Sequence, residues 1–157
     1  MISAGFAGAL TADLKVGDVV VPAKVIDSGD GSSVETGTGF RGLVSVGEMA
    51  TVERKRVLGA KYDAVAVDME AAAVARGARL RGARFAAVKV ISDELDFEIP
   101  VIEGSVDSSG RFHEGRFLMG VAVRPWYWGR VVKMAGKSSL AAKNLTEALR
   151  VQIQEYC

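Results

Sequence analysis

The hydrophobic residues of this chain fall into short runs separated by glycine, proline and charged residues, a pattern typical of α/β proteins. Four apolar runs predict strands, over residues 18–26, 42–46, 64–67 and 84–91. The last two runs are apolar at nearly every position, as expected for central parallel strands that are buried on both faces. Between strands, a charged segment over 51–58 and an alanine-rich segment over 69–80 predict helices.

The strand over 64–67, the helix over 69–80 and the strand over 84–91 predict a right-handed, parallel βαβ unit. The predicted fold class is therefore α/β, with an open mixed, largely parallel sheet flanked by helices and a helical C-terminus. In such sheets ligands bind beyond the carboxyl ends of the strands. The candidate chemistry is therefore sought at those ends.

The rest of the chain predicts a single domain over residues 1–157, with a long polar loop over 94–115 and a helical tail over 115–157. In the tail, Leu145, Leu149 and Ile153 recur every four residues, which predicts one apolar stripe on a helix.

Composition narrows the class of protein. Of the 157 residues, 49% are hydrophobic and 25% are charged, which is ordinary globular usage and excludes disorder as the main state. The net charge of +1 gives no argument for a nucleic-acid partner. A single cysteine excludes an internal disulfide and a cysteine-based metal site. With no membrane-spanning run and no signal peptide in sight, the predicted location is the cytoplasm.

Two predicted strand ends carry residues that a ligand can use. The segment 3–8, which includes Phe6, Ala7 and Gly8, is interpreted as a glycine loop after a strand, where backbone N–H groups can approach a ligand. A tight turn that simply needs glycine is the alternative. In the segment 67–70, Glu70 can accept two sugar hydroxyls, although an N-cap role for the neighbouring acid explains the same pattern.

A third strand end lies at Ser92 and Asp93, after the most apolar run. A carboxyl beside an apolar strand is suited to general acid catalysis. The alternative is that serine and aspartate merely begin a turn. A single binding cleft would explain why all three strand ends carry such residues. Independent turns could explain each strand end separately.

Four ordered motifs resemble those of the purine nucleoside phosphorylase and methylthioadenosine/S-adenosylhomocysteine nucleosidase superfamily. They are SAGFAGAL over 3–10, LKVGDVVV over 14–21, VDMEAAAVA over 67–75 and VKVISD over 88–93. The resemblance implies a nucleoside phosphorylase-like fold. It also implies an enzyme that cleaves the N-glycosidic bond of a small-molecule nucleoside through an oxocarbenium-like transition state.

The resemblance also implies roles for particular residues. Asp93 becomes the catalytic acid that hydrogen-bonds or protonates N7 of the purine. The residues expected to bind substrate are Glu70 and Met69 at the ribose, with Ala7, Gly8, Phe6 and Ser92 lining the rest of the site. No metal or cofactor is implied, and phosphate enters as a co-substrate only if the protein is a phosphorylase.

Two departures from the family pattern shape the expectation. Ser3 and Phe6 stand where phosphorolytic members bind phosphate, and because a phenylalanine side chain cannot bind an anion, hydrolysis is favoured over phosphorolysis. Phe6, the 94–115 loop and the segment 124–128 are similar to the hopanoid-associated branch, which is thought to release adenine from a lipid precursor.

The second departure is that the chain begins at the glycine segment, so it is expected to lack the family's N-terminal strands and their water-activating glutamate. The rival hypothesis is therefore a truncated, non-catalytic nucleoside-binding relative. The predicted partners are a nucleoside and a second copy of the chain in a homodimer or larger oligomer. The basic, aromatic segment over 124–150 adds a weak contact with a membrane surface as an open alternative.

Overall fold

The structure is a computed structural model and describes residues 1–37, 39–97, 141–151 and 153–154. Up to Asp93 the described chain forms seven strands and two helices. The strands are β1 (Ile2–Ala9), β2 (Val19–Val20), β3 (Lys24–Asp27), β4 (Ser33–Glu35), β5 (Gly42–Ser45), β6 (Ala64–Asp68) and β7 (Ala86–Asp93). The helices are α1 (Val52–Tyr62) and α2 (Ala71–Leu80).

All seven strands join one sheet in the order β2-β7-β1-β6-β5-β3-β4. The pairs β1–β7, β3–β5 and β5–β6 are parallel, and they include the longest ladder, between β1 and β7. The pairs β1–β6, β2–β7 and β3–β4 are antiparallel. The prediction of an open mixed α/β sheet flanked by helices is confirmed.

The two helices cover opposite faces of the sheet. Alanines 71, 75 and 78 of α2 pack with Val25, Leu43 and Ile91 in one buried apolar cluster. Leu58 of α1 packs with Val44, Val46 and Val67 in a second cluster. The alanine-rich sequence of α2 suits this position because small side chains let the helix lie close to the strands. The sheet is thus buried on both faces, as the apolar strand pattern predicts.

Helix α1 begins and ends at residues with clear backbone signals. Thr51 is its N-cap, and its Oγ1 accepts a hydrogen bond from the backbone N–H of Arg54 at 3.3 Å. Asp63 ends the helix in a left-handed conformation, with φ of 48°. The helix is four residues longer at its C-terminal end than the sequence pattern over 51–58 predicts.

The interpretation of residues 3–8 as a glycine loop is wrong, because these residues lie inside strand β1, which pairs along its length with β7. Glycine and alanine have low strand propensity, so the segment reads as a loop although its neighbours hold it in the sheet. The predicted parallel βαβ unit is also wrong. Strand β1 lies between β6 and β7, parallel to β7 and antiparallel to β6.

The predicted strand over 18–26 is two strands, β2 and β3, which lie at different places in the sheet and are separated at Pro22. Proline has no N–H for a strand ladder, which explains the break. The sequence pattern does not predict strand β4. It is short, and only its central residue, Val34, is apolar and partly buried.

At the C-terminus, residues 141–151 are helical, which confirms the prediction of a helical C-terminus. Ala141 is buried, and the Asn144 amide donates to the Gly17 carbonyl at 2.8 Å, so this helix contacts the domain. Leu145 and Leu149 of the predicted stripe are half-buried, whereas Ile153 is exposed. The predicted 94–115 loop lies outside the described residues after residue 97, and so do residues 115–140 of the predicted helical tail.

Candidate functional site

The candidate site is organised around Gly8, where three strands meet. Gly8 pairs with Val67 of β6 on one side and with Asp93 of β7 on the other. The carboxyl ends of β6 and β7 therefore lie in one row across β1, although these strands are not neighbours. Val67, near the end of β6, and Asp93, at the end of β7, thus flank Gly8. The sequence predicts a meeting of parallel strand ends, whereas these two strands run in opposite directions.

A register shift in the β1–β7 ladder fixes the position of Asp93. Ala7 pairs with Ile91, but the next residue, Gly8, pairs with Asp93, so Ser92 is the extra residue of a bulge. Bulges re-aim side chains and are common beside active sites. The Ser92 hydroxyl lies 3.3 Å from the carbonyl oxygen of Ala7 and 2.6 Å from Oδ1 of Asp93.

Asp93 is paired with a buried lysine. The Lys55 ammonium, on α1, donates to Oδ2 of Asp93 at 2.5 Å and to the carbonyl oxygen of Glu94 at 2.9 Å. The Lys55 side chain is only 4% exposed, whereas that of Asp93 is 26% exposed. Each oxygen of the Asp93 carboxylate thus has a donor within the protein, and one side of the carboxylate still reaches the surface.

The absence of a side chain at Gly8 makes room for this ion pair. A Cβ on Gly8 would lie 2.8 Å from Oδ2 of Asp93, and 3.3 Å from both Cε of Lys55 and Cγ1 of Val67. The first of these distances is shorter than real carbon–oxygen contacts allow, so a larger residue would displace the carboxylate. Gly8 therefore supports the site by its small size rather than by a glycine-loop conformation.

A second buried ion pair lies at the start of α2. The Lys89 ammonium, 1% exposed, is 2.6 Å from Oδ2 of the buried Asp68. Oδ1 of Asp68 accepts from the Ser45 hydroxyl at 2.5 Å, and Oδ2 accepts from the N–H of Ala71 at 2.9 Å. The Ser45 oxygen in turn accepts from the N–H of Ala72 at 2.9 Å. Asp68 and Ser45 thus satisfy the first N–H groups of α2.

This capping arrangement leaves Glu70 without a structural role at the helix start. Glu70 occupies the N-cap position, but its side chain makes no capping hydrogen bond. Its carboxylate is 68% exposed and lies 3.7 Å from the Lys89 ammonium. The capping explanation for this acidic pair therefore applies to Asp68, and the Glu70 carboxylate remains available to a ligand.

The other predicted site residues differ in exposure. Phe6 and Met69 are large apolar side chains that are about half exposed, and both belong to the segments that meet near Gly8. Ala7 is buried and faces the apolar cluster under α2, so it contributes its backbone carbonyl, which faces the Ser92 hydroxyl. Among the described residues, no group of three or more His, Cys, Asp or Glu residues could hold a metal ion.

Sequence reasoning missed both buried lysines. Lys89 carries a signal, because a single lysine in the apolar run AAVKVIS needs a buried partner if the strand is buried on both faces. Lys55 carries no such signal. It lies among the charged residues of the segment 51–58, where a lysine is expected to face water.

Residues 28–109, 82 of the 157, match the sequence profile of the Phosphorylase superfamily. The chain therefore belongs to this superfamily. The prediction of a nucleosidase or phosphorylase type of enzyme is confirmed at the level of the family. A search of curated proteins finds no significant match.

Solved structures with a similar fold include two nucleosidases and a futalosine hydrolase. The 5'-methylthioadenosine/S-adenosyl homocysteine nucleosidase of Helicobacter pylori, solved with a bound pyrrolidinol compound, is 23% identical, with a TM-score of 0.52 over 60% of this chain and 55% of that one. The futalosine hydrolase of H. pylori strain 26695 is 22% identical, with a TM-score of 0.56 over 77% of this chain and 66% of that one.

A third similar structure, the MTAN of Chlamydia trachomatis, is 19% identical, with a TM-score of 0.58 over 99% of this chain and 64% of that one. At these identities the similarity establishes the fold. The chain spans between 55% and 66% of the length of these three proteins. Among the described residues, no helix has both the length and the apolar character to cross a membrane.

Proposed function

We propose that this protein is an N-ribosyl hydrolase of the nucleosidase type, which releases adenine or another purine from a nucleoside. The observation that carries the proposal is the Asp93 carboxyl, held by two donors at the end of β7. It lies across Gly8 from Val67, near the end of the strand that the exposed Glu70 follows. The site pairs an acid for the base with a carboxylate for the sugar.

In the proposed reaction the bond between C1' of the ribose and N9 of the purine breaks, and its electron pair leaves with the purine. Asp93 hydrogen-bonds to N7 of the purine or delivers a proton to it, which makes the base a better leaving group. The oxygen of a water molecule forms the new bond to C1', and the proton that it loses passes to solvent. A proton from solvent returns the Asp93 carboxylate to its acid form, so the proton given to the purine is replaced. The products are the free purine and the free sugar.

The charges around Asp93 fit this role. When the acid gives up its proton, negative charge develops on a carboxylate that already faces the Lys55 ammonium at 2.5 Å and the Ser92 hydroxyl at 2.6 Å. Donors fixed where charge develops stabilise a transition state without further reorganisation. Glu70 accepts ribose hydroxyls, while Met69 and Phe6 supply apolar contacts to the substrate.

Hydrolysis is proposed over phosphorolysis because neither candidate phosphate position is suited to an anion. Phe6 has no polar group in its side chain, and Ser3 is 4% exposed. A phosphate-dependent nucleoside phosphorylase is the alternative. The resemblance at Phe6 also favours assigning the protein to the hopanoid-associated branch of the family.

The experiment measures purine release from methylthioadenosine, adenosylhomocysteine and inosine, with and without phosphate. Release that does not depend on phosphate is the expected result, and release only with phosphate would identify a phosphorylase. Because the resemblance implies a water-activating glutamate on strands that precede the segment 3–8, the assay includes any longer product of the same gene. Binding of a nucleoside without release from any form would favour the non-catalytic relative.

A further inference from the structure

The strongest feature that the proposed function leaves unexplained is Lys55. A lysine side chain that is only 4% exposed is unusual, because the ammonium loses its hydration on burial. Lys55 lies on α1, outside every motif that the resemblance supplies. Its ammonium is nevertheless within 2.5 Å of the proposed catalytic acid.

We propose that Lys55 is a positioning residue that acts through Asp93: it fixes the orientation of the carboxyl and compensates the charge that forms when the acid gives up its proton. This inference rests on the proposed function, since it assigns Lys55 a part in the same reaction. It goes further by making helix α1 part of the catalytic site.

The contacts around the ammonium support positioning rather than simple packing. Lys55 donates both to the Asp93 carboxylate and to the carbonyl of the next residue, Glu94, so two hydrogen bonds connect it to the end of β7. On the other side of the carboxylate, the Ser92 hydroxyl lies at 2.6 Å. The carboxyl group is therefore held at both oxygens, and rotation about its side-chain bonds would break at least one contact.

The exposed ion pair between Arg56 and Asp96 provides a matched control. Arg56 follows Lys55 on the same helix, and its guanidinium lies 2.5 Å from Asp96, three residues beyond Asp93. Both partners are more than 60% exposed. Arg56→Met therefore removes one positive charge and one contact between the same two segments without touching the proposed acid.

The first test is a double-mutant cycle on turnover. Lys55→Met is expected to lower kcat about 100-fold, the order of loss that follows a small misplacement of a catalytic group, with little change in KM. In the Asp93→Asn background the same substitution is expected to have no further effect, because Lys55 acts only through that carboxyl. Arg56→Met leaves kcat unchanged. Equal losses in both backgrounds would mean a structural role and would overturn the proposal.

The second test needs no turnover. The protons of a buried, hydrogen-bonded ammonium exchange slowly with water, so Lys55 and Lys89 are expected to give ammonium signals in a proton–nitrogen NMR spectrum, assigned by their methionine variants. The Lys55 signal should shift or vanish in Asp93→Asn, while the Lys89 signal stays. A Lys55 signal with the same chemical shift in Asp93→Asn as in the unmodified protein would overturn the proposal, whether or not the protein cleaves a nucleoside.

Failure of the proposed function is recognised separately, as absence of base release from the unmodified protein. In that event the cycle is run on adenine affinity, measured by calorimetry. If Lys55 positions Asp93 for the base, Lys55→Met weakens adenine binding in the unmodified protein. The same substitution then has no further effect in the Asp93→Asn variant. Equal weakening in both backgrounds, or none, would overturn the proposal.

Discussion

At the scale of single residues, Asp93 is the side chain on which the proposed chemistry depends. Asp93→Asn keeps the shape of the side chain and one acceptor oxygen but removes the acid. Purine release is expected to fall about 100-fold or more, the usual contribution of a general acid. Asp96→Asn is the matched control, since Asp96 is exposed three residues later and pairs only with the exposed Arg56 among the described contacts. Equal losses in the two variants would argue against the assigned role.

Gly8 provides a second test at this scale, because its missing side chain leaves the space that the Asp93 carboxylate occupies. Gly8→Ala adds a carbon 2.8 Å from Oδ2 of Asp93. Overpacking of this kind is expected to lower the free energy of unfolding by about 1–3 kcal/mol. Because the carboxylate must move, kcat is expected to fall at least about 10-fold as well. Both are measurable, by chemical denaturation and by purine release.

Gly47→Ala is the control for the glycine substitution. A Cβ on Gly47 would have nothing within 4 Å, so neither stability nor turnover should change. If Gly8→Ala lowers stability but leaves turnover intact, the position of the Asp93 carboxylate does not matter for the reaction.

At the scale of elements, the Lys89–Asp68 pair ties strand β7 to the end of β6 and the start of α2. Both side chains are 1% exposed or less. Lys89→Met leaves a buried carboxylate without its cation and is expected to lower the free energy of unfolding by about 3–5 kcal/mol. Denaturant titration measures this change.

The exposed guanidinium of Arg76, 2.5 Å from Asp27, supplies the comparison for Lys89. Arg76→Met is expected to change the free energy of unfolding by no more than about 1 kcal/mol, because the guanidinium is 56% exposed and water screens its attraction to Asp27. A loss for Lys89→Met as small as that for Arg76→Met would mean that water reaches the buried pair in solution.

The sequence predicts those elements best whose residues are buried in a regular pattern. Strands β6 and β7 are recognisable as apolar runs, and α2 as an alanine-rich helix between them. Strand β1 is not recognisable, because five of its eight residues are glycine or alanine, which have low strand propensity, and pairing with neighbouring strands holds them in the sheet. Its insertion between β6 and β7 depends on pairing between distant parts of the chain, which no local pattern reports.

The same difference applies to the candidate site. Glu70 and Asp93 follow the ends of two apolar runs, so the rule that ligands bind beyond strand ends singles them out. It does not explain how they come together, because β6 and β7 run in opposite directions on either side of β1. Lys55 reaches the site only because α1 packs over β6 and turns one of its many charged side chains inward. A helix with charges at most positions does not reveal which of them faces the sheet, so this residue could be found only from the structure.

At the scale of the whole molecule, the sheet formed by the described residues ends at two edge strands, β2 and β4. In the β3–β4 ladder, the N–H of Thr36 donates to Ala23 and the N–H of Asp27 donates to Ser32. Because hydrogen-bonded and non-bonded pairs alternate along an antiparallel ladder, the N–H groups of Ser33 and Glu35 point away from β3. Within the described part of the chain no strand pairs with this outer side of β4.

An open edge of this kind favours pairing with another chain, so the protein is expected to self-associate. Sedimentation velocity at micromolar concentration should detect a dimer or larger species. Glu35→Pro removes one outward N–H without a partner in β3 and is expected to shift the equilibrium toward monomer. Leu80→Lys, which changes an exposed apolar residue at the end of α2 instead, should leave it unchanged. Only monomer at these concentrations, or dissociation by the Leu80 variant alone, would mean that β4 is not an interface.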